Sequence, residues 1–416
     1  MAKILILGSG GREHALVRSL ARENRHELFC TPGNAGIADF AGSIAVDVND
    51  HDALLKAVRA EGIDLTIVGP EAPLAAGIVD RFQAEGWRIF GPSQAAARLE
   101  SSKLFARDFM RETGIPHPDY RACRSKAEAQ AAVRDMGLPI VLKADGLAAG
   151  KGVIICQTWK DVENALGLYF DQQVFGEAGL ALSVEQCLSG PEMSVFALCD
   201  GESFVIIGTA QDYKRAYDGD QGLNTGGMGS IAPSPLATPE LLDEIAATVL
   251  RPAVDGMRAR GCPYVGCLYA GLMIVDGHPY VIEFNVRLGD PESQVVLPLL
   301  DTPLYELVEQ ALSGNLPDKV DTKPGAAVCV VLAAEGYPGK YEKGRPISGL
   351  DRLDEDIILY HAGTANDSDG QLVSSGGRVL NVVATGQTIP DAARKVYENI
   401  DRIDFPGSFY RKDIGG

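Results

Sequence analysis

The apolar and polar positions of the first hundred residues follow two alternating periods. Short apolar runs rich in β-branched residues lie at residues 3–8, 27–33, 65–71 and 88–93. Stretches with the period of an amphipathic helix lie between them, the first from Arg12 to about Asn24. Strands and helices that alternate in this way are typical of a parallel sheet with crossover helices. The pattern therefore predicts an α/β unit over residues 1–102.

The middle of the chain has a different order of elements. A helix begins after Ser101 or Ser102, its candidate N-caps, and ends near Gly114. From residue 139 to 199 several short apolar runs surround one helix that begins at Trp159. Because these strands and helices do not alternate regularly, we expect an α+β lobe here.

The remaining residues predict two further groups of elements. Residues 203–300 contain strands, a glycine-rich loop at 222–229, a helix near 239–259 and a hairpin that turns at Asp276-Gly277. After Pro324 a last unit follows, in which a long strand leads into a helix over residues 388–400. We therefore expect further domains after the N-terminal one.

Composition and charge narrow the class of protein. The 416 residues include 38 Lys and Arg against 56 Asp and Glu, a net charge of −18, so a nucleic acid is a poor partner. The eight cysteines form no C-x-x-C pair, which favours reduced thiols. The N-terminal apolar run is too short for a signal peptide, and no apolar stretch reaches 18 residues. We expect a cytoplasmic protein that binds no membrane.

The stretch "LKADGLAAGKGVIIC", residues 142–156, contains the Gly-Lys pair of a phosphate-binding P-loop. A P-loop needs a glycine five residues earlier and a Ser or Thr afterwards, whereas this chain has Asp145 and Gly152. Apolar runs on both sides predict a hairpin instead. Its glycine-rich tip, with Lys143 and Lys151 on either side, favours an anion such as phosphate. The alternative is a mobile hairpin with surface lysines.

The stretch "YVIEFNVRLGDPE" predicts a strand with two chemically distinct faces. Its even-numbered residues from Tyr280 to Val286 are apolar and belong to the core, whereas Glu283, Asn285 and Arg287 alternate with them. A carboxylate beside an amide oxygen suits Mg²⁺, which shares its coordination with phosphates. Arg287 would then face an anion. The alternative is an exposed face with a solvated ion pair.

The N-terminal stretch "LILGSGGREHAL" follows a strand and opens a helix. Glu13 stands where a dinucleotide-binding turn has its third glycine, and the second strand ends without an acidic residue, so a nicotinamide site is disfavoured. The helix N-terminus remains suitable for a phosphate group. The loops at residues 32–36 and 69–74 end neighbouring strands, where α/β sheets bind ligands, although tight turns alone would explain their Gly and Pro.

Three weaker signals complete the candidates. Lys103 lies in the first turn of its helix, where its positive charge is repelled by the positive end of the helix dipole. A bound phosphate would offset that repulsion. Glu185 and Glu192 are carboxylates that could bind a nucleoside, or simply surface acids. Residues 211–230 combine charges with glycines, which suits a loop that holds a substrate or an ordinary surface loop.

A dozen segments together resemble, in order from residue 4 to 415, the glycinamide ribonucleotide synthetases, also called phosphoribosylamine–glycine ligases. They include "GSGGREHAL", "KADGLAAGKGV", "NTGGMG", "VIEFNVRLGDPE" and "RKDIG". This family belongs to the ATP-grasp superfamily. The resemblance implies a Rossmann-like domain at residues 1–102, a two-lobed ATP-grasp domain at 103–323 with a lid lobe at about 119–189, and a small C-terminal α+β domain at 324–416.

The resemblance also implies a reaction. Glycine would be joined to 5-phosphoribosylamine with ATP and Mg²⁺ or Mn²⁺, through glycyl phosphate, in purine synthesis. We expect a monomer or weak dimer that acts on these small molecules. Relatives often have Glu-Glu where this chain has Glu185-Gln186, but we expect ATP to remain the nucleotide, because backbone groups would contact the adenine edge.

Residue roles follow from matching the family's motifs to this chain. The implied ATP contacts are Lys103, Lys143, Gly146, Gly150, Lys151, Gly152, Glu185, Leu188 and Glu192. The implied metal ligands are Glu283 and Asn285. The candidates for glycine and the sugar phosphate are Gly10, Gly11, Asn34, Asp212, Asn224, Thr225, Gly226, Gly227, Arg287 and Asp290. Lys143 and Arg287 would act directly on the reacting groups.

Three alternatives to this function differ in what they would bind. Another ATP-grasp carboxylate–amine ligase would share the lysines and the metal strand but differ in its acceptor loops. A non-catalytic nucleotide-binding regulator would not need Glu283, Asn285 and Arg287 on one strand. A dehydrogenase would bind NADH, which Glu13 disfavours.

Overall fold

The computed structural model describes residues 1–147 and 152–416. The N-terminal domain is built on a parallel sheet with the strand order β3-β2-β1-β4-β5. Its strands are β1 (Lys3–Gly8), β2 (Glu27–Pro32), β3 (Gly42–Ser43), β4 (Leu65–Val68) and β5 (Ile89–Phe90). Its helices are α1 (Gly11–Ala21), α2 (His51–Glu61), α3 (Glu71–Ala75), α4 (Ile78–Ala84) and α5 (Gln94–Ser101). The predicted parallel sheet with crossover helices is confirmed.

The next helix, α6 (Lys103–Thr113), begins and ends as its sequence predicts. Ser102 is the N-cap, and its hydroxyl accepts a hydrogen bond from the amide of Phe105 at 3.1 Å. Gly114 ends the helix in the left-handed conformation, which glycine adopts without steric strain. Lys103 is therefore the first helical residue.

The lid lobe is a separate antiparallel sheet with the order β6-β9-β7-β8. It contains β6 (Tyr120–Cys123), α7 (Lys126–Met136), β7 (Ile140–Ala144), β8 (Val153–Cys156), α8 (Trp159–Leu166) and β9 (Leu182–Gln186). The antiparallel pairing of β7 with β8 confirms the hairpin and excludes the strand–loop–helix of a P-loop. The lobe has its own apolar core, so it packs as a unit distinct from the larger sheet.

Most strands in the rest of the chain belong to one long sheet. Its strands before residue 300 are β10 (Glu192–Asp200), β11 (Phe204–Asp212), β14 (Gly229–Ala232), β15 (Val265–Val275) and β16 (His278–Asn285). A small hairpin, β12 (Arg215–Tyr217) and β13 (Gln221–Asn224), precedes β14. The helices are α9 (Pro239–Ile245), α10 (Arg251–Ala259), α11 (Ser293–Leu299) and α12 (Leu304–Ser313). A π-helical segment, Ala246–Leu250, joins α9 to α10 within the helix predicted near 239–259.

The C-terminal strands extend that same sheet. They are β17 (Ala326–Ala334), β18 (Ile357–His361), β21 (Arg378–Gly386) and β22 (Ser408–Phe409), with a separate hairpin of β19 (Thr364–Asn366) and β20 (Leu372–Ser374) and a final helix α13 (Ile389–Ile400). The order is β16-β15-β10-β11-β14-β17-β21-β18, and β22 pairs with β17. Because β14 pairs with β17, the C-terminal strands hold the loop before β14 from one side.

A β-bulge interrupts the strand β16. Gly271 pairs with Glu283 and Leu272 with Val281, so Ile282 is the extra residue. Val281 is consequently fully buried, whereas Ile282 is half-buried and lines a cavity. The predicted core position was right for Phe284 but wrong for Ile282. One inserted residue exchanges the buried and the cavity-facing sides of the strand on its N-terminal side, so Val281 takes the core position instead.

Candidate active site

A cavity of about 460 Å³ lies where the lid lobe, the long sheet, and the N- and C-terminal domains meet. The candidate residues that line it are Lys103, Lys143, Gly146, Gly152, Glu185, Leu188, Glu192, Asp212, Asn224, Thr225, Gly226, Glu283, Asn285, Arg287 and Asp290. Four candidates, Gly10, Gly11, Asn34 and Gly227, do not line it. Gly150 and Lys151 lie outside the described residues. The structure thus brings most of the candidates to one place.

Lys143 projects from β7 into this cavity. Its Nζ atom donates to the carbonyl of Ile282 at 2.8 Å and lies 3.0 Å from Oε2 of Glu185. Burial lowers the pKa of Lys143, and the Glu185 carboxylate opposes that shift. An anion bound nearby would further stabilise the charged lysine.

Glu185 is enclosed by cations. Its two carboxylate oxygens accept hydrogen bonds from Nε and Nη2 of Arg107 at 2.9 and 2.7 Å. Although burial would raise it, Lys143 and Arg107 lower the pKa of Glu185 to about 2. Glu185 is therefore ionised and fully engaged with protein groups. Leu188 and the neighbouring Gln186 form the wall beside it.

Glu283 and Asn285 face the same cavity from β16. Burial opposes the charged form of Glu283, but Lys103, Lys214 and Lys143 lower its pKa to about 2, so it is ionised at neutral pH. Lys103 Nζ lies 3.9 Å from Oε2 of Glu283. An ionised carboxylate and an amide oxygen are donors of the kind that Mg²⁺ or Mn²⁺ binds, so the residues fit such an ion. Within residues 1–147 and 152–416, no group of three His, Cys, Asp or Glu side chains forms a metal site, so phosphate and water oxygens would have to complete the coordination.

Arg287 is held between two glutamates. Its Nε atom lies 3.1 Å from Oε2 of Glu71, and its Nη2 atom lies 2.9 Å from Oε1 of Glu100. Nη2 also donates to Oδ1 of Asn285 at 3.3 Å. These carboxylates outweigh burial and raise the pKa of Arg287. The arginine is therefore permanently charged, and it fixes the side chain of a candidate metal ligand.

An acidic cluster lies beside Lys214, which follows β11. The ammonium group of Lys214 is hydrogen-bonded to Glu192 and lies 3.8 Å from Oδ1 of Asp212. Burial, opposed by Lys214 and reinforced by Glu292 and Glu192, raises the pKa of Asp212 to about 7. The carboxylates outnumber the cation here, so this part of the cavity favours a positively charged ligand group.

Arg378, from the C-terminal domain, lines the cavity beside Gly226 and Asp290. Its Nη1 atom donates to the carbonyls of Gly226 and Asp290, at 2.7 Å each. Its Nη2 atom lies 3.3 Å from Oδ1 of Asp290. The neighbouring Gly227 has a φ of +108°, and a Cβ at this position would lie 2.5 Å from Pro291. Both observations require glycine here. Arg378 thus holds two candidate substrate loops together.

The N-terminus of α1 is already occupied by carboxylates. The amide of Gly10 donates to Oε2 of Glu13 at 2.6 Å, and the amide of Arg12 donates to Oδ2 of Asp290 at 3.4 Å. Glu13, which replaces the third glycine of a dinucleotide motif, is therefore a capping residue. A phosphate bound to the amide of Gly10 would have to displace Glu13, and one bound to the amide of Arg12 would have to displace Asp290.

Asn34 stabilises its own loop. Its Nδ2 donates to the carbonyls of Ser9 at 2.8 Å and of His361 at 2.9 Å, and its Oδ1 accepts from the amides of Gly36 and Ile37. It lines a second cavity, of about 220 Å³, beside Thr364. Here the tight-turn explanation for the loop at residues 32–36 accounts for the side chain's contacts.

Several residues that line the cavity or support it received no individual role from the sequence. They are Arg12, Glu71, Glu100, Arg107, Lys214, Glu292 and Arg378. Glu71 lies in the loop of residues 69–74 and Lys214 in the loop of residues 211–230, both of which the sequence indicates as ligand segments, and Arg107 follows Lys103 by four residues on one helix face. No sequence signal indicates Glu100, whose partner Arg287 is 187 residues away.

Two lobes that face a cavity with paired lysines and a Glu-x-Asn strand define the ATP-grasp class. The family comparison agrees: residues 2–100, 101–293 and 327–416 match the N, ATP-grasp (A) and C domains of phosphoribosylglycinamide synthetase. The chain belongs to the phosphoribosylglycinamide synthetase family.

Similar proteins support the same membership. A phosphoribosylamine–glycine ligase of Caldanaerobacter subterraneus subsp. tengcongensis is 45% identical over 414 residues, which are 99% of each chain. The crystal structure of phosphoribosylamine–glycine ligase from Thermotoga maritima is 36% identical, covers 99% of each chain and superimposes with a TM-score of 0.87. A biotin carboxylase domain from Hydrogenobacter thermophilus, at 18% identity, covers 98% of this chain and 91% of its own with a TM-score of 0.76, and shares the fold. No helix of the described chain is long and apolar enough to cross a membrane.

Proposed function

We propose that this chain joins glycine to 5-phosphoribosylamine with ATP, and releases N1-(5-phosphoribosyl)glycinamide, ADP and phosphate, a step of purine biosynthesis. Full-length relatives carry the name of this ligase. The observation that carries the proposal is that Lys103, Lys143, Glu283 and Asn285 share one cavity with the loop of residues 224–226 and Asp290.

The nucleotide lies between the lobes in this proposal. Lys103 and Lys143 contact its phosphates. We also propose that the hairpin loop of residues 145–152, of which 148–151 lie outside the described residues, closes over them. Gly146 and Gly152 line the cavity in support of that placement. Leu188 and the adjacent backbone contact adenine, and Glu192 contacts the ribose. Glu185, which lines the cavity beside Leu188, flanks the adenine and also forms an ion pair with Lys143.

Glu283 and Asn285 would hold Mg²⁺ or Mn²⁺ against the phosphates. Such an ion neutralises phosphate charge and polarises the bond to the departing ADP. The protein's contribution is to present an ionised carboxylate and an amide whose orientation Arg287 fixes.

The chemistry needs no protein nucleophile. A carboxylate oxygen of glycine attacks the γ-phosphorus, the bond from that phosphorus to the β-phosphate oxygen breaks, and glycyl phosphate and ADP form. The amine of phosphoribosylamine then attacks the glycyl carbonyl carbon, loses a proton, and displaces phosphate. Positioning and charge neutralisation are the main requirements of phosphoryl transfer.

The acceptors occupy the part of the cavity that Arg378 lines. Glycine's ammonium group suits the acidic cluster of Asp212 and Glu292. Asn224, Thr225, Gly226, Gly227, Arg287 and Asp290 contact the acceptors, and Gly10, Gly11 and Asn34 contribute from the N-terminal domain. All of the first group except Gly227 line the cavity.

We also propose the domain boundaries, the cellular location and the oligomeric state of the protein. The domains span residues 1–102, 103–323 and 324–416, with the lid lobe at about 119–189. The protein acts in the cytoplasm as a monomer or weak dimer, and binds neither nucleic acid nor membrane. The net charge of −18 supports the first of these exclusions.

The test is ADP release from purified protein with each component omitted in turn. ADP should form only when ATP, Mg²⁺, glycine and phosphoribosylamine are all present. Turnover without the sugar amine, or none with it, rejects the proposal. Replacing glycine by other amino acids or carboxylates distinguishes this ligase from another ATP-grasp ligase.

A further inference from the structure

Arg107 on α6 is buried and makes four hydrogen bonds to two structural units. Its side chain is 3% exposed. Nε and Nη2 bind both oxygens of Glu185 in the lid lobe, at 2.9 and 2.7 Å. Nη1 donates to the carbonyl of Val281 at 2.9 Å, and Nη2 donates to that of Ile282 at 2.6 Å. The guanidinium therefore connects the lid strand β9 to the metal-facing strand β16.

The bulge in β16 makes this arrangement possible. Ile282 is the extra residue of the bulge, and its carbonyl accepts hydrogen bonds from both Arg107 and Lys143, at 2.6 and 2.8 Å. Successive carbonyls of a regular strand point to opposite sides, whereas here the consecutive carbonyls of Val281 and Ile282 both accept from Arg107. Lys143 is thus fixed by one carbonyl and one carboxylate, and Arg107 contacts both acceptors.

The charges of this cluster decide what Lys143 can bind. Lys143 and Glu185 alone form a neutral pair, and a neutral pair attracts phosphate weakly. Arg107 neutralises Glu185, so the three side chains together carry one net positive charge. Burial strengthens the effect, because charges in a cavity are screened less than charges in water.

We infer that Arg107 is a positioning residue for Lys143: it neutralises Glu185 and anchors the Ile282 carbonyl, so that the charge of Lys143 remains available to the nucleotide's phosphates. This inference rests on the proposed contact between Lys143 and ATP. A purely structural clamp between lid and sheet is the competing explanation, and it makes no distinction between charged and uncharged ligands.

Variants that remove single charges separate the two explanations. The net charge of the cluster is zero in Arg107→Gln and returns to one positive charge in the double variant Arg107→Gln with Glu185→Gln. Binding of ATP and of adenosine is measured by calorimetry for each. We expect Arg107→Gln to lower the affinity for ATP by about 10- to 100-fold and the affinity for adenosine by less than about threefold. The double variant should recover ATP affinity to within about fivefold of the unmodified protein.

Arg107→Lys provides a second test if Arg107→Gln does not fold. Arg107→Lys cannot span Glu185 and both carbonyls, so some ATP affinity should be lost. Because the lysine keeps the positive charge, the loss should be smaller than in Arg107→Gln, or less than about tenfold if Arg107→Gln cannot be obtained. Equal losses of ATP and adenosine, or a double variant as weak as Arg107→Gln, overturn the inference. Arg111→Gln, exposed on the same helix, is the matched control and should bind ATP normally.

Lys143→Met distinguishes a failure of this inference from a failure of the proposed function. If ATP affinity is unchanged in Lys143→Met, the assigned phosphate contact is wrong. If it falls in Lys143→Met but not in Arg107→Gln, the phosphate contact stands and the positioning role of Arg107 is rejected.

Discussion

Nη2 of Arg287 lies 2.9 Å from Oε1 of Glu100, and the other oxygen of that carboxylate accepts from the amide of Val286 at 2.7 Å. Glu100 is on α5, the last helix of the N-terminal sheet unit, and Arg287 follows β16 of the long sheet. One buried carboxylate thus joins two domains and fixes the strand end that carries Asn285.

Removing this carboxylate should destabilise the fold. We expect Glu100→Gln to lower the free energy of unfolding by about 2 kcal/mol, because a charged hydrogen bond and a buried ion pair are lost while Glu71 still neutralises Arg287. Urea unfolding at pH 7 measures the change. Glu355→Gln, on the exposed surface, should change it by less than about 0.5 kcal/mol. A loss no larger than that of the control contradicts the structural role.

The metal assignment predicts a specific kinetic defect. Glu283→Gln should reduce kcat by about 10²- to 10³-fold and raise the Mg²⁺ concentration needed for half-maximal rate, because the ionised ligand is replaced by a neutral amide. ADP release measured across a Mg²⁺ titration tests both effects. Glu240→Gln, exposed on α9, is the control. An unchanged rate with an unchanged Mg²⁺ requirement rejects the metal role.

Asp212 should make the stability of the ligand-free protein depend on pH. Its pKa is raised from 3.8 to about 7 by burial and by neighbouring carboxylates, so the folded state holds this proton more tightly than the unfolded state. The stabilisation is complete below about pH 4 and is lost as pH rises through 7. The free energy of unfolding of the unmodified protein should therefore fall by about 3 kcal/mol between pH 5 and pH 8 through this group, and Asp212→Asn should not show that fall. Urea unfolding in EDTA at these two pH values measures the fall in each protein. An equal fall in both proteins contradicts the raised pKa of Asp212.

Arg378 should influence the acceptors more than ATP. Arg378→Met removes the donors that hold the carbonyls of Gly226 and Asp290, so the acceptor loops lose their positions. We expect the KM of glycine or phosphoribosylamine to rise about tenfold or more, with the KM of ATP within about twofold. Steady-state kinetics with each substrate varied gives the comparison. Arg394→Met, exposed on α13, should leave all three constants unchanged.

Local patterns in the sequence predicted most elements and several cavity residues. The cap at Ser102, the hairpin of β7 and β8 and the turn at Asp276-Gly277 depend on neighbouring residues, so sequence sufficed. The same holds for Lys103 at the first turn of α6. Arg107 shows the limit, because its partner Glu185 is 78 residues away and no local rule relates them.

The sequence by itself determined the order of elements, the family and the chemical types at the cavity. These depend on local propensities, hydrophobic period and motif spacing, which do not require the chain to be folded. The tertiary structure decided which charges meet. It placed Asp290 at the N-terminus of α1, Glu185 between Arg107 and Lys143, and Ile282 in a bulge. Such partners are chosen by packing between distant segments, where a buried charge must find an opposite charge or a hydrogen bond.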